Sequence, residues 1–286
     1  MNVDELRAAM QRAGVEWAVS DEPIEAEPRL GYQPSEGVPP LDEQEEIARR
    51  LAAAGPEAAA PEYPSAYDLR DVGGSNFVTA IRDQGACGSC VAFGSCAAVE
   101  GTLSVQENDA DPDVDLSEAY LFYCVAASQG STCADGWYPK VALATLQQQG
   151  TPDESGFPYT AGDQECAACS DWEARATKIS GWHPLQTPAE MKAWISSRGP
   201  IVGSMKVYED FEHYRGGTYR HVAGRDVGGH CICLVGYDDQ QGHWIGKNSW
   251  DTRWGEDGFF RIAYGECAID AGALAVDGVQ PRQNVT

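Results

Sequence analysis

The pattern of apolar and polar positions divides the chain into two regimes. In the first 62 residues the apolar positions are sparse. Val3–Ala13 places Leu6, Ala9, Met10 and Ala13 on one face at helical spacing, with Gly14 as the stop, so a helix is predicted there. A second helix is predicted over Asp42–Ala54. Asp42 with Glu45 three residues on gives a capping-box-like start, and Gly55-Pro56 ends it. Between the two, "DEPIEAEPRLGYQPSEGVPP" has no period. Each proline blocks helix and biases its predecessor toward extended geometry, so this strip is predicted to be extended. Such a segment has little core of its own. It is either a tail or a strap along the surface of the next domain.

From Tyr63 the pattern becomes that of a globular domain. Helices are predicted at roughly 90–101, 117–125 and 138–149, with Gly101 and Gly150 closing the first and last. After about residue 178 the runs shorten to "PIVGSMKVY", "HCICLVGYDD", "HWIGKNSW" and "GFFRIAYG", punctuated by Gly and Asp as in an antiparallel sheet or barrel. The division expected is an N-terminal segment 1–62 and a domain 63–286. Within that domain a helical half spans about 73–178 and a β half about 179–275, an α+β architecture. A cleft between two such halves is a common ligand site. There is no internal repeat, and no low-complexity tract beyond the Ala-rich 52–60.

Composition narrows the functional classes. The chain has 286 residues, 43% hydrophobic and 22% charged, which fits a folded protein. No apolar run reaches the length of a membrane span, so no membrane partner is expected. A net charge of −24 sets nucleic acid aside, since a phosphate backbone would be repelled, and suggests a weakly associating, monomeric surface. The first residues are acidic with no apolar stretch behind them, so no signal peptide is read; either the protein stays inside or a leader has been trimmed. Ten cysteines point the other way, to disulfides and a secreted or otherwise oxidising compartment.

Two cysteines stand three residues apart in "QGACGSCVAFG", residues 84–94. A second Cys-x-x-Cys, Cys166 and Cys169, lies too far along the chain for a compact zinc ribbon. The parallel α/β context of a thioredoxin motif is missing. No metal or other cofactor is therefore expected. Gly85 and Gly88 allow a tight loop, and Cys90 opens an apolar run that suits a buried helix. A thiol at a helix N-terminus meets the positive end of the dipole, which favours thiolate, so Cys90 is the candidate nucleophile. Cys87 lacks that position and is available for a disulfide. A nucleophilic Cys needs a base and an orienter for it. Of five histidines, His230 in "GGHCICLVGYDD" follows two glycines that allow close approach, and Asn248 in "GHWIGKNSW" could fix an imidazole through its carbonyl oxygen.

This constellation resembles the papain family of cysteine peptidases. That family carries Cys-Gly-Ser/Ala-Cys before an aromatic, with His and Asn about 130–150 residues downstream. Here the motif is residues 87–90, His230 is 140 residues beyond Cys90, and Asn248 is 158 beyond, slightly past that range. "PSAYDLRD", "LSEAYLFYC", "GFPYTAG", "FEHYRGGTY" and "KNSWDTRWGEDGFFRI" resemble further family landmarks in order, over about residues 63–275. The resemblance implies a papain-like two-subdomain fold, with the cleft between a helical half and an antiparallel, barrel-like β half.

The resemblance also implies roles. Cys90 attacks the scissile carbonyl as thiolate, and His230 forms the ion pair and protonates the leaving amine. Asn248 orients His230, and Trp250 shields that bond. Gln84 and the Cys90 backbone N–H hold the oxyanion. Gly136 pairs with an extended substrate, with Asp135 at the rim beside it and Gly88 and Ser89 lining the cleft. Ser204, Met205, Gly229, Cys231 and Gly272 line the pocket for the side chain two residues before the cut. The disulfides implied are Cys87–Cys133, and Cys124–Cys166 or Cys124–Cys169. Cys267 is left without its usual partner, and Cys96, Cys231 and Cys233 are expected to be buried thiols. The partners implied are peptide or protein substrates and the chain's own N-terminal segment as an intramolecular inhibitor.

There are departures. Val91 stands where the family has Trp, which would leave space behind the site, and Asp251 replaces a usual glycine. Residues 1–62 lack the long helix motif of many family propeptides. Val91 and Asp135 motivate a second reading, a non-proteolytic binding protein on the same fold; a third is an acyl transferase or peptide ligase using the same thiol, since water and an amine compete for one acyl-enzyme. Without a large insertion between Cys90 and His230, an open cleft and endopeptidase action are expected.

Overall fold

The computed structural model describes residues 1–21, 30–35, 38–54 and 63–280. In chain order, the N-terminal segment gives helix α1 (Val3–Ala13), strand β1 (Ala18–Val19) and helix α2 (Leu41–Ala54). Then come β2 (Ala66–Asp68), α3 (Cys90–Glu107), α4 (Pro139–Gln148) and α5 (Trp172–Arg175). The β half holds β3 (Ile179–Leu185), α6 (Pro188–Ser197), β4 (Ile201–Tyr208), β5 (Tyr214–Gly216), β6 (Thr218–Tyr219), β7 (Asp226–Asp238), β8 (His243–Lys247), β9 (Phe259–Ala263) and β10 (Ala273–Val279).

α1 matches its predicted span. Asn2 caps it and Gly14 closes it in the left-handed conformation, with Leu6, Ala9 and Met10 buried. α2 also forms, but not through a capping box. Asp42 and Glu45 turn away from the helix start toward Lys206 and Tyr208 of β4. The predicted stop at Gly55-Pro56 lies outside the described residues.

α3 runs past Gly101 to Glu107 and ends at Asn108, which adopts φ 53°. Gly101 is a packing position, not a stop: a Cβ there would sit 2.5 Å from Pro200 Cγ. The helix predicted over 117–125 is π-wound across Tyr120–Ala126. α6 has no counterpart among the predicted elements. Its start is a capping box between Thr187 and Glu190, a signal legible in "TPAE" but passed over in a region read for strands.

The sheet order is β3-β10-β4-β7-β8-β9-β6, with β2 added to β7. All pairs are antiparallel except β6 with β9. Among the described residues its two ends do not pair, so the expected barrel is an open sheet. The sheet packs on α3, a helix apolar on most of its surface; Cys90–Cys96 and Ala98–Val99 are buried apart from the half-buried Ala97. Val91 is fully buried in this core.

The N-terminal segment is a strap and not a free tail. β1 pairs with β5, and Trp17 packs on Tyr214 and Tyr219 while its indole N–H donates to Arg220 O. Leu30–Ser35 crosses between the halves, with a parallel bridge from Tyr32 to Trp137, and α2 then lies against β4 and the turn at 266–268.

Candidate active site

Cys90 is the first residue of α3, as the sequence predicts, and its thiol is fully buried. The backbone N–H of Cys231 donates to Sγ at 3.4 Å, and the N–H groups of Gly31, Val91 and Cys90 itself also favour the thiolate. Burial outweighs these donors and pushes the thiol up to about 11.

His230 lies in β7 and is completely buried. Its Nε2 is 2.7 Å from Asn248 Oδ1, and that oxygen also accepts the Ser249 backbone N–H at 2.8 Å. A backbone N–H can only donate, so the atom it meets is the amide oxygen. Nε2 therefore carries the proton, and Nδ1 is the basic nitrogen. Among the described residues Nδ1 has no hydrogen-bond partner. Burial takes the imidazole down to about 4, against a smaller upward effect of Asn248. Trp250 stacks on the His230 ring with centroids 4.8 Å apart. In the closed site burial favours the Cys90 thiol and the neutral His230 imidazole over their charged forms.

Gln84 is buried and held from several sides. Nε2 donates to Cys87 O at 2.7 Å, Oε1 accepts from Ser249 Oγ at 2.6 Å, and its backbone oxygen accepts from Tyr159. Ser249 thus positions both Gln84 and Asn248, a role no sequence signal pointed to. The Cys87–Cys133 bridge ties the loop before the nucleophile to the 133–137 strip, and Gly88 N–H donates to Cys133 O. The second bridge is Cys124–Cys166, which leaves Cys169 free along with Cys90, Cys96, Cys231, Cys233 and Cys267.

The strap occupies the cleft. Gly31 O accepts from Trp137 N–H at 2.7 Å, Gln33 N–H donates to Trp137 O at 2.9 Å, and Tyr32 N–H donates to Gly229 O at 3.1 Å. Gln33 Nε2 donates to the backbone oxygen of Asp135, whose own carboxylate accepts from Thr132. Three glycines make the approach possible. A Cβ on Gly31 would lie 1.9 Å from Gly88 O, and one on Gly136 would lie 1.9 Å from Gly31 O.

Tyr32 is 6% exposed. Its ring lies on Gly229, where a Cβ would meet Tyr32 Cδ1 at 2.7 Å, and its hydroxyl accepts from Gln44 Nε2 at 3.3 Å. Ser204 and Gly272 close the far side, the Ser204 hydroxyl being 3.3 Å from where a Gly272 Cβ would be. Of the five residues expected there, Ser204 pairs across the strands with Cys231, and Met205 pairs with His230. Alternation along the strand therefore sends Met205 to the face opposite Ser204, into the core. Ser89 also differs from expectation. It is buried, with its hydroxyl on that of Tyr159 at 2.7 Å, and does not line the cleft. Gly31 and Tyr32, the residues that fill the site, stood in the sequence as an isolated apolar patch, "RLGYQ", within the proline- and glutamate-rich strip.

The papain family cysteine protease profile matches residues 63–276. The chain is 36% identical over 236 residues to a cathepsin B-like CP3 of Giardia intestinalis, covering 77% of each chain. It is 35% identical to a cathepsin B-like CP2 of the same organism, over 80% of this chain and 79% of that one. Among solved structures, a procathepsin B S9 from Trypanosoma congolense superposes with a TM-score of 0.79 at 22% identity, over 98% of both chains. A digestive procathepsin L2 from Tenebrio molitor gives 0.71 at 27% identity, over 95% of this chain and 88% of that one.

Proposed function

Because this chain belongs to the papain family of cysteine proteases, we propose that it is an endopeptidase made as a zymogen, whose residues 1–62 block the cleft of a peptidase domain beginning near Tyr63. The observation that carries this reading is the course of the strap over Cys90, held by Gly31 O on Trp137 N–H and Tyr32 N–H on Gly229 O, with the Gly31 amide turned toward the thiol. A substrate must present its carbonyl carbon to that sulfur; the strap presents an amide hydrogen instead, in a strand held on both sides. Nothing there can be cleaved.

With the strap gone, water reaches Cys90 and His230, and the desolvation that keeps both neutral is relieved. The N–H groups at the start of α3 then favour thiolate, and His230 Nδ1 takes the proton. The thiolate attacks the scissile carbonyl, and the oxyanion is received by the Cys90 N–H and the Gln84 amide. His230 returns its proton to the leaving amine, leaving a thioester. Water, activated by His230, hydrolyses it. Asn248 holds the ring in the required tautomer, and Trp250 keeps water from that bond. The substrate strand lies along Gly136, with Asp135 at the rim and Gly88 beneath, where the strap now lies. The disulfides support an oxidising compartment.

The test is intact-mass analysis after exposure to an epoxide that alkylates reactive thiols. It is run on the full chain and on a chain starting at Tyr63, with Cys90→Ser as control. Labelling at Cys90 in the short chain only is expected. Equal labelling of both forms would remove the inhibitory role, and peptidase activity surviving Cys90→Ser would overturn the mechanism.

A further inference from the structure

One thiol beside the nucleophile has no part in the peptidase chemistry. Cys231 follows His230 directly, and its backbone N–H is the donor 3.4 Å from Cys90 Sγ. Its side chain turns toward α3. A Cβ on Gly94 would lie 3.0 Å from Cys231 Sγ. Gly94 is one helical turn after Cys90, so the two positions share a face of the helix. A glycine inside a helix weakens it, and here its missing side chain is what admits the Cys231 sulfur. A cysteine sulfur lies within about 4 Å of its own backbone nitrogen, so the two sulfurs are at most about 7 Å apart. Both thiols are wholly buried and both are free.

We propose that Cys90 and Cys231 form a reversible oxidation site, in which Cys231 captures an oxidised nucleophile as a disulfide. The co-reactant is a peroxide. Cys90 thiolate attacks one peroxide oxygen and the O–O bond breaks. Hydroxide leaves, the sulfur becomes a sulfenic acid, and the peroxide is reduced by two electrons. The Cys231 sulfur then attacks the Cys90 sulfur and the S–O bond breaks. The oxygen leaves as water with the Cys231 proton. In sum, two thiols and one hydrogen peroxide give one disulfide and two waters. The peptidase is off while the bond stands, and a dithiol reductant restores it. Without Cys231 the sulfenic acid is open to a second peroxide and to irreversible sulfinic acid. The geometry favours Cys231 over Cys233, because Cys231 is the residue whose backbone meets Cys90 Sγ.

The inference rests on Cys90 being the reactive thiol, and the experiment separates the two claims. Reduced full chain is first labelled with the epoxide after acid opening; absence of label on Cys90 would fail the peptidase reading. A parallel sample receives hydrogen peroxide until no free Cys90 thiol remains, and is then digested and mapped. A peptide pair linked through Cys90 and Cys231, 2 Da below the sum of its reduced parts and split by dithiothreitol, is expected in the wild-type chain. In Cys231→Ala and Cys231→Ser, sulfinic Cys90 at +32 Da is expected instead. Each variant's dithiothreitol-recoverable thiol, measured against its own starting value, is expected to fall at least tenfold below wild type. Sulfinic Cys90 as the main wild-type product, or Cys90 linked to any other cysteine, would overturn the proposal.

Discussion

Gly31 O accepts from Trp137 N–H at 2.7 Å while the Gly31 amide faces the Cys90 thiol, so one residue both covers the nucleophile and anchors the cover. No side chain fits at this point: a Cβ on Gly31 would meet Gly88 O at 1.9 Å, a backbone atom that cannot swing aside. Gly31→Ala should therefore unseat the strap without touching the peptidase domain. Overpacking costs about 1–3 kcal/mol, which corresponds to about five- to 150-fold faster epoxide labelling of Cys90 in the full chain. An unchanged labelling rate would show that the strap does not close the site through this contact.

The strap should also loosen in acid, for a reason located at His230. In the closed chain burial holds its imidazole down to about 4, whereas a hydrated imidazole titrates near 6.5. Where no thiolate pairs with the imidazole, as in a Cys90→Ser chain, both forms are neutral above pH 6.5 and the histidine favours neither. Below it the open form binds a proton that the closed form refuses, so closure weakens as pH falls. The effect levels off near pH 4, at about 3 kcal/mol. In the Cys90→Ser chain, hydrogen exchange at the Trp137 and Gln33 amides, corrected for intrinsic rates, should accelerate across this window, and adding His230→Gln should flatten the profile. A Cys90→Ser profile flat from pH 6.5 to 4 would remove His230 from the trigger.

Much of this site is legible in sequence, because local chemistry specifies it. Cys90 falls at a helix start, two glycines precede His230, and Asn248 is spaced to meet the imidazole. The order of short apolar runs likewise gives β4, β7, β8 and β9. What is not legible depends on distant partners. Gly101 reads as a stop until Pro200 is seen against it. Asp42 and Glu45 read as a cap because Lys206, more than 150 residues away, cannot be foreseen as their partner. Met205 and Ser204 are neighbours on one strand, and only the register decides which faces the cleft.

Lys206 is the second hold on the strap. Its ammonium is 2.5 Å from Asp42 Oδ1, 3.7 Å from Glu45 and 3.2 Å from Asp226, and Tyr208 donates to Glu45. Hydrogen bonding to Lys206 holds the Asp42 carboxyl below its usual value. A carboxylate lowered in this way favours docking above its free value near 3.9, and the contribution is lost as pH falls through the lowered one. Asp42 is solvent-exposed, so its contribution is small. Asp42→Asn should speed Cys90 labelling by about two- to fivefold at pH 7 in dilute buffer, with less effect in high salt. Once the pH lies below the lowered value, so that Asp42 is protonated even when docked, the variant and wild type should converge. A difference that persists there would mean the substitution acts by packing and not by charge.

Tyr32 shows what the pocket accepts. Its ring lies on Gly229, and its hydroxyl takes a hydrogen bond from Gln44, a residue of α2 that departs with the strap. The Ser204 hydroxyl is buried beside this phenol. Among the described residues it has no hydrogen-bond partner in the closed chain. Once a substrate replaces the strap, Ser204 is the polar group left to meet a phenolic hydroxyl at that depth. Peptides with tyrosine two residues before the cut should be cleaved with kcat/KM about two- to tenfold above their phenylalanine counterparts, the worth of one neutral hydrogen bond. Ser204→Ala should erase that difference while leaving the phenylalanine peptide nearly unchanged. Equal cleavage of the two peptides by the wild-type enzyme would mean that Tyr32 is held by α2 alone and does not report the pocket's preference.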